Sequence, residues 1–249
     1  MNPIGVVICN YNKKDFVLQC VQSVLESKEK NFDIYVVDNA SSDGSAEALK
    51  KAYGNRITVI ENKENLGGSG GFNTGLRIVR DKGYSYFMCL DDDAAVDENA
   101  LSVLYHYMEE HTDTGMAGCR VYHTQMSDYI QQSGLLIDFD NCTAKTIGAD
   151  MPEDGSLPDV IECDTVATCA VMVRADTVKQ KGVGIMPEDN FIYWDDMEWG
   201  YRIKLAGYRV VTLAEAKALH QMGANTKKEN TFINYYMWRN RTNFFMRFT

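Results

Sequence analysis

Tyr86-Phe87-Met88-Cys89-Leu90-Asp91-Asp92-Asp93-Ala94 joins an unbroken apolar run to three consecutive carboxylates. The apolar run predicts a buried strand, and like charges gathered at its end repel one another unless something positive sits among them. A divalent cation answers that need most simply. In extended backbone, side chains two apart share a face, so Asp91 and Asp93 are placed to hold one ion while Asp92 points elsewhere. Oxygen ligands of this kind suit Mg²⁺ or Mn²⁺. The triplet also reads as a loop of solvated carboxylates before a helix capped by Asp97, so its neighbours have to decide.

Outward from this stretch the chain alternates strands and helices. Residues 4–9 form an apolar strand ending in Asn10-Tyr11-Asn12, followed by a helix with Phe16, Val17, Cys20, Val21, Val24 and Leu25 at helical spacing. Residues 32–37 form a second strand that ends in Asp38-Asn39-Ala40-Ser41-Ser42-Asp43-Gly44, where Ser42 or Asp43 caps a helix running to about Tyr53. A short third strand, 57–61, precedes the glycine-rich run Asn65 to Gly75, which leads into a helix carrying Leu76, Ile78 and Val79. Four strands alternating with helices imply an α/β fold with a mostly parallel central sheet, ligands lying outside the carboxyl ends of the strands. Every polar cluster named above falls at such an end.

Later segments are less regular. A helix over 100–111 and a strand over 116–122 precede a weakly patterned hairpin excursion, 123–162, then a strand over 163–173 and a short helix over 175–181. Phe191-Ile192-Tyr193-Trp194 feeds Asp195-Asp196-Met197-Glu198 and a helix ending at Gly207. Residues 209–213 form a last strand, His220 follows a polar link, and 232–248 close as an aromatic-rich helix.

Composition narrows the function classes. With 249 residues and 45% hydrophobic content the chain fills one large α/β domain. A formal charge of −10 argues against a nucleic-acid partner, and an anionic substrate would then need local positive charge, again a metal. Seven scattered cysteines without C-x-x-C spacing read as reduced core residues of a cytoplasmic protein, and the apolar start at Ile4 with no run of membrane-spanning length sets the expectation of neither a leader nor a membrane span.

Several residues are candidates for chemistry. The glycine run follows the third strand and lacks both the dinucleotide spacing and a G-K-[ST] phosphate loop, so it either lets backbone approach a ligand or serves packing. Asp195-x-x-Glu198 is an acidic capping box that accounts for Asp195. Asp196 is not needed for capping and is a candidate general base. Trp194 and Trp199, beside it, are candidate acceptor contacts because aromatic faces suit a sugar, though large rings equally build core. His220 is either structural or a third metal ligand beside Asp91 and Asp93. A Ser-His-Asp arrangement cannot be picked out, and zinc is disfavoured by the absence of paired Cys or His spacing.

Taken in order, Asn10-Tyr11-Asn12, Val36 to Gly44, Asn65 to Phe72, Asp91-Asp92-Asp93, Trp194 to Glu198, Arg202, Gly207 and His220 resemble glycosyltransferase family 2, inverting transferases with the GT-A fold. The resemblance implies one catalytic domain over 1–249, with a nucleotide-sugar-binding half (1–122) and an acceptor-binding half (123–249). It implies that Tyr11, Asn12 and Asp38 hold base and ribose and that Asn65 and Gly68 line the nucleotide-sugar side; Asp92, turned away from the metal by alternation, is expected to touch donor or protein. Asp91, Asp93 and His220 would hold Mn²⁺ or Mg²⁺, with Asp196 as the base.

The glycine run, the acidic triplet and Trp194-Asp195-Asp196 look most like galactofuranosyltransferases, whose donor is UDP-galactofuranose and which continue past the region matched here. Rhamnosyltransferases carry Asn-Pro-Asp in place of the triplet, which leaves dTDP-rhamnose as the alternative donor. The expected acceptor is a glycan or lipid-linked saccharide in cell-surface polysaccharide synthesis. The closing helix, rich in aromatics and arginines, either packs on the core or contacts the inner face of the membrane, and Arg239 or Arg241 is placed to reach a diphosphate. Two rivals remain. A nucleotidyltransferase would carry a basic glycine-rich loop after its first strand, which Asn10-Tyr11-Asn12 is not; a non-catalytic nucleotide- or sugar-binding module would have no turnover.

Overall fold

The computed structural model describes residues 3–221 and 231–249. In chain order the elements are β1 (Ile4–Asn10), α1 (Lys14–Glu26), β2 (Phe32–Asp38), α2 (Ser45–Tyr53), β3 (Thr58–Glu61), α3 (Gly67–Lys82), β4 (Tyr86–Asp91), β5 (Ala94–Val96), α4 (Ala100–Glu110), β6 (Thr114–His123), β7 (Met126–Gln132), β8 (Leu135–Asp138), β9 (Thr143–Thr146), β10 (Met151–Pro152), β11 (Val160–Glu162), β12 (Ala170–Arg174), α5 (Asp195–Leu205), β13 (Arg209–His220) and α6 (Thr231–Phe248).

Alternation along β1 sets the layers. Ile4, Val6 and Ile8 enter one core with Val17, Val21 and Val24 of α1 and Leu101 and Leu104 of α4. Val7 faces the other way, into a second core with Leu76 and Val79 of α3 and Trp199 and Ile203 of α5. Both faces are apolar, so both are covered by helices. Strands β3, β2, β1 and β4 are parallel neighbours in that order, β12 joins β4 antiparallel, and β6 follows β12 antiparallel. β13 runs parallel to β6 along one edge and pairs β11 and β5 antiparallel along the other.

The glycine run is not a loop. From Gly67 onward it forms the opening turns of α3, which starts at Gly67 itself. A Cβ on Gly71 would lie 2.4 Å from Cys9 Sγ, and one on Gly75 2.4 Å from Val7 Cγ1. Two glycines four apart face the sheet together, so α3 rests on β1 closer than any side chain allows.

Other boundaries shift for identifiable reasons. β13 continues through His220 without a polar link, because buried Ala216 and Ala218 alternate with exposed Glu215 and Lys217, the period of a half-buried strand. Of the expected strand over 163–173 only the part from Ala170 is strand, β12, and the expected helix over 175–181 is a single 3₁₀ turn, Thr177–Lys179. α2 follows Gly44 at φ +79° without a side-chain cap; Asp43 instead accepts the Ser45 N–H at 3.0 Å. Within the 123–162 excursion, β8 and β9 form a separate antiparallel hairpin.

Of the seven cysteines, all free, five are buried. Among the described residues no helix is long and apolar enough to cross a membrane. α6 is two-sided: Asn240, Phe244 and Phe245 are buried, while Tyr235, Trp238 and Met246 are exposed.

Close packing of α3 yields a stability prediction. Gly75→Ala is expected to destabilise the fold by about 1–3 kcal/mol through overpacking against Val7, despite the ~1 kcal/mol that alanine gains in an unencumbered helix interior. Urea melts read this as a lowered midpoint, and an unchanged or raised midpoint contradicts the close contact.

Candidate active site

β4 ends at Asp91, and Asp92 and Asp93 turn the chain into β5. β5 pairs antiparallel with the end of β13, setting Val96 opposite Ala218, Ala95 opposite Leu219 and Ala94 opposite His220. The Gln221 N–H donates to the Asp93 carbonyl at 3.2 Å. This register carries His220 to the acidic triplet: its Nε2 lies 3.2 Å from Asp93 Oδ1 and 3.7 Å from Asp91 Oδ2. One ligand atom from each of Asp91, Asp93 and His220 falls within a 4.8 Å cluster.

The donor set fits a divalent cation, and the tautomer of His220 supports the fit. Gln131 on β7 donates from Nε2 to the His220 carbonyl at 3.1 Å, which orients its amide and leaves Oε1 2.7 Å from His220 Nδ1. An amide oxygen only accepts, so Nδ1 donates and Nε2 is the ring atom turned to the carboxylates. Burial works against a charged His220, but Asp93 and Asp91 outweigh it and raise its pKa. Burial likewise opposes ionisation of Asp93, and hydrogen bonds from His220 and Lys13 overcome it, holding the carboxyl below its ordinary range.

Asp92 faces away, as alternation requires. Its Oδ2 accepts the Tyr11 N–H at 3.0 Å and its Oδ1 accepts Lys13 Nζ at 3.0 Å. Lys13 also reaches Asp93 Oδ2 at 2.6 Å. Burial, only partly offset by Lys13, raises Asp92 to about 6. Asp91 is raised too, by burial first. One lysine therefore does not neutralise the cluster, which leaves room for further positive charge. Lys13 was missed in the sequence; its signal was its place directly behind the Asn10-Tyr11-Asn12 strand end.

The loops after β1, β2 and β3 are tied together by side-chain amides. Asp38, buried, accepts Asn10 Nδ2 at 2.9 Å and the Ser41 N–H at 3.1 Å. Asn12, at φ +54°, accepts the Ser42 N–H at 2.7 Å. Asn39, to which the sequence assigned nothing, donates to Asn65 Oδ1 at 3.0 Å and to the Gly67 carbonyl at 2.9 Å while accepting the Leu66 N–H at 3.1 Å. Tyr11 remains half exposed beside this floor. Gly68 sits near the second acidic pair: a Cβ there would lie 3.7 Å from Asp195 Oδ2.

That pair corrects two readings. Asp195 does not cap α5, whose N-cap is Trp194 without a side-chain bond; Asp195 is buried and accepts Ser69 Oγ at 3.1 Å, bridging α5 to α3. Trp199 has no exposed surface and donates to the Gly184 carbonyl at 3.0 Å, and Trp194 is 7% exposed against Phe244 and Phe245. Rings so enclosed build core and are not available to an acceptor. Asp196, half-buried, stands in the first turn of α5, with Oδ1 accepting the Met197 N–H at 2.7 Å. Burial first, then the charges of Asp195 and Asp91, push it up to about 7. Arg239 bonds the carbonyls of Asp189 and Asn190, and Arg241 the carbonyl of Cys142, so neither guanidinium points to the acidic cluster.

The sequence model of Glycosyl transferase family 2 matches residues 5–171, well over half of the chain. The chain belongs to glycosyltransferase family 2. Its relatives in sequence include the teichoic acid poly(glycerol phosphate) polymerase of Staphylococcus epidermidis, 26% identical over 57% of this chain and 19% of that protein. Another is the UDP-Glc:α-D-GlcNAc-diphosphoundecaprenol β-1,3-glucosyltransferase WfaP of Escherichia coli, 30% identical over 44% of this chain and 42% of that protein. The chain thus spans less than half the length of these relatives. Among solved structures, GalNAc-T7 with UDP, GalNAc and Mn²⁺ superposes with a TM-score of 0.73 at 13% identity, covering 97% of this chain and 47% of that one. The mannosyltransferase PcManGT of Pyrobaculum calidifontis, in complex with GDP-Man and Mn²⁺, gives 0.65 at 16% identity over 90% and 58%. The family 2 chain has the GT-A fold, a mixed sheet with mostly parallel central strands flanked by helices.

The Gln131 clasp makes a prediction about metal affinity. His220→Ala is expected to abolish Mn²⁺ binding measured by paramagnetic resonance, and Gln131→Leu to weaken it by about 10–100-fold with the ligands intact. Full affinity in Gln131→Leu would show that the amide does not orient the ring.

Proposed function

We propose that this chain is a metal-dependent, inverting glycosyltransferase that moves a sugar from a nucleoside-diphosphate donor to a glycan or lipid-linked saccharide. The observation that carries the reading is the convergence of Asp91, Asp93 and His220 beside Asp196 at the carboxyl end of a parallel sheet. Tyr11, Asn12 and Asp38 hold base and ribose, Asn65 and Gly68 line the nucleotide-sugar side, and Asp92 fixes the Tyr11 loop and Lys13 beside it. The donor lies on residues 1–122 and the acceptor against 123–249.

Asp91, Asp93 and His220 would hold Mn²⁺ or Mg²⁺, which would supply positive charge against that of the departing diphosphate. Asp196 takes the proton of the acceptor hydroxyl. The hydroxyl oxygen attacks the anomeric carbon from the face opposite the leaving group; the bond to the phosphate oxygen breaks, its electron pair leaves with the diphosphate, and the anomeric configuration inverts. Lys13, held charged because Asp92 and Asp93 outweigh its burial, adds fixed positive charge at the same edge.

UDP-galactofuranose is the preferred donor, on the likeness of the glycine run and the acidic triplet, with dTDP-rhamnose or another hexose as the alternative. A lipid-linked acceptor is supported by the diphosphoundecaprenol substrate in the name of WfaP. Peripheral membrane contact at the cytoplasmic face would use the exposed Tyr235 and Trp238 of α6.

A donor panel of UDP-galactofuranose, UDP-glucose and dTDP-rhamnose with Mn²⁺, read by nucleotide release, tests the assignment. UDP affinity unchanged by Mn²⁺ in calorimetry would remove the metal role. Asp196→Asn is expected to lower kcat by about 10²–10⁴-fold while donor binding persists. The base works deprotonated, so with a pKa near 7 turnover rises with pH through about 7 and levels above it. A limb near 4, the ordinary carboxylate range, would contradict the assignment.

A further inference from the structure

The segment leading into Asp196 is strained. Phe191, Tyr193 and Trp194 have φ of +65°, +64° and +64°, a region side chains with a Cβ rarely adopt. Phe191, at φ +65° and ψ −56°, is the centre of a γ-turn of the rare, strained kind, closed by the Ile192 N–H donating to the Asn190 carbonyl at 2.8 Å. Such a segment persists only where its surroundings over-determine it.

The surroundings that do so come from α6. Asn240, with no exposed surface, directs its Nδ2 to the carbonyls of Asn190, Ile192 and Tyr193 at 2.8, 2.8 and 2.9 Å. Arg239 Nε donates to Asn240 Oδ1 at 2.8 Å, which fixes the amide so that its N–H groups face the turn. The Arg239 guanidinium also reaches the Asp189 and Asn190 carbonyls at 2.6 and 2.8 Å and lies over the Tyr236 ring at 4.6 Å. Phe191 stacks on Tyr236 at 5.1 Å, and its carbonyl accepts the Ser69 N–H of α3 at 3.3 Å. On the far side of Asp196, the fully buried Glu198 accepts Arg247 Nη1 at 2.8 Å on each oxygen. Asp196 therefore sits on a short arc held at both ends by one helix, remote in sequence and touching neither the metal ligands nor the nucleotide loops in any contact above.

We propose that Asn240, oriented by Arg239, is a positioning residue for Asp196: it holds the strained 190–194 turn so that the carboxylate meets the acceptor hydroxyl. The inference rests on Asp196 being the base. Its function is geometric, since Asn240 bonds main chain and does not touch the carboxylate. Loss of the clamp lets the turn relax toward ordinary backbone, and a displacement of about 1 Å at a reacting group costs on the order of 10²-fold in rate.

The test uses Asn240→Asp, equal in shape but without the donors, and Arg239→Gln, which removes the orienting bond and keeps Asn240. Hydrogen exchange by mass spectrometry is expected to quicken in residues 189–197 of both variants and to stay unchanged in residues 86–93. In the same preparations kcat should fall by about 10–100-fold with UDP–Mn²⁺ affinity unchanged. Unaltered exchange in 189–197, or unaltered kcat, in both variants overturns the proposal. So does a parallel loss of UDP affinity and kcat, which would mark a general destabilisation. Asp196→Asn measured alongside separates the two claims. Turnover kept by Asp196→Asn yet lost by Asn240→Asp would overturn the base assignment, and the positioning proposal with it; turnover lost by Asp196→Asn and kept by both clamp variants overturns the positioning proposal alone.

Discussion

Three residue pairs, Val96 with Ala218, Ala95 with Leu219 and Ala94 with His220, hold the short strand after the acidic triplet against the end of β13. The rest of the site depends on that register. A slip of one residue would turn His220 to the opposite face of the strand, away from Asp91 and Asp93. The same register places the His220 carbonyl and ring against Gln131, so one pairing positions a candidate ligand and its orienting amide together. Carboxylates crowded at a strand end are tolerable only where positive charge is supplied. Here Lys13 supplies part of it directly, and the geometry around His220 Nε2 leaves a place for the remainder.

Backbone placement carries much of the specificity elsewhere. Gly71 and Gly75 let α3 settle on β1, which brings the N-terminus of α3 up to the strand ends and to Asp195. Asn39 then ties the loops after β2 and β3 into one floor. The turn at 190–194 is strained, and α6 satisfies its carbonyls with a buried amide and a guanidinium. Strain beside Asp196 and its restraint by a distant helix are two sides of one arrangement.

Legibility of the site in the sequence followed the size of the local signal. That Asp91 and Asp93 share a face and Asp92 turns away was legible because alternation in extended backbone is a two-residue rule; that Asp92 meets the Tyr11 loop came from the structure. His220 was legible as a candidate, though its strand was not: Glu215 and Lys217 read as a link until their alternation with Ala216 and Ala218 is set against burial. Lys13, Gln131 and Asn39 gave almost no signal, since each acts through a partner far away in the chain. Trp194 and Trp199 misled for the opposite reason, because a large ring beside a carboxylate has the same local pattern whether it meets a sugar or fills a core.

Composition and periodicity by themselves determined an α/β chain with a mostly parallel sheet, polar clusters at the strand ends and an acidic triplet behind Leu90 that either a cation or solvent had to satisfy. Those follow from short-range rules: alternation, helical spacing and the repulsion of neighbouring charges. Tertiary structure alone decided that α3 begins at Gly67, that Asp195 bonds Ser69 instead of capping its helix, and that α6 grips the turn before Asp196. Each of these depends on contacts between segments separated by tens of residues or more. Such contacts are selected by packing and by the satisfaction of buried polar groups, which no local window of sequence contains.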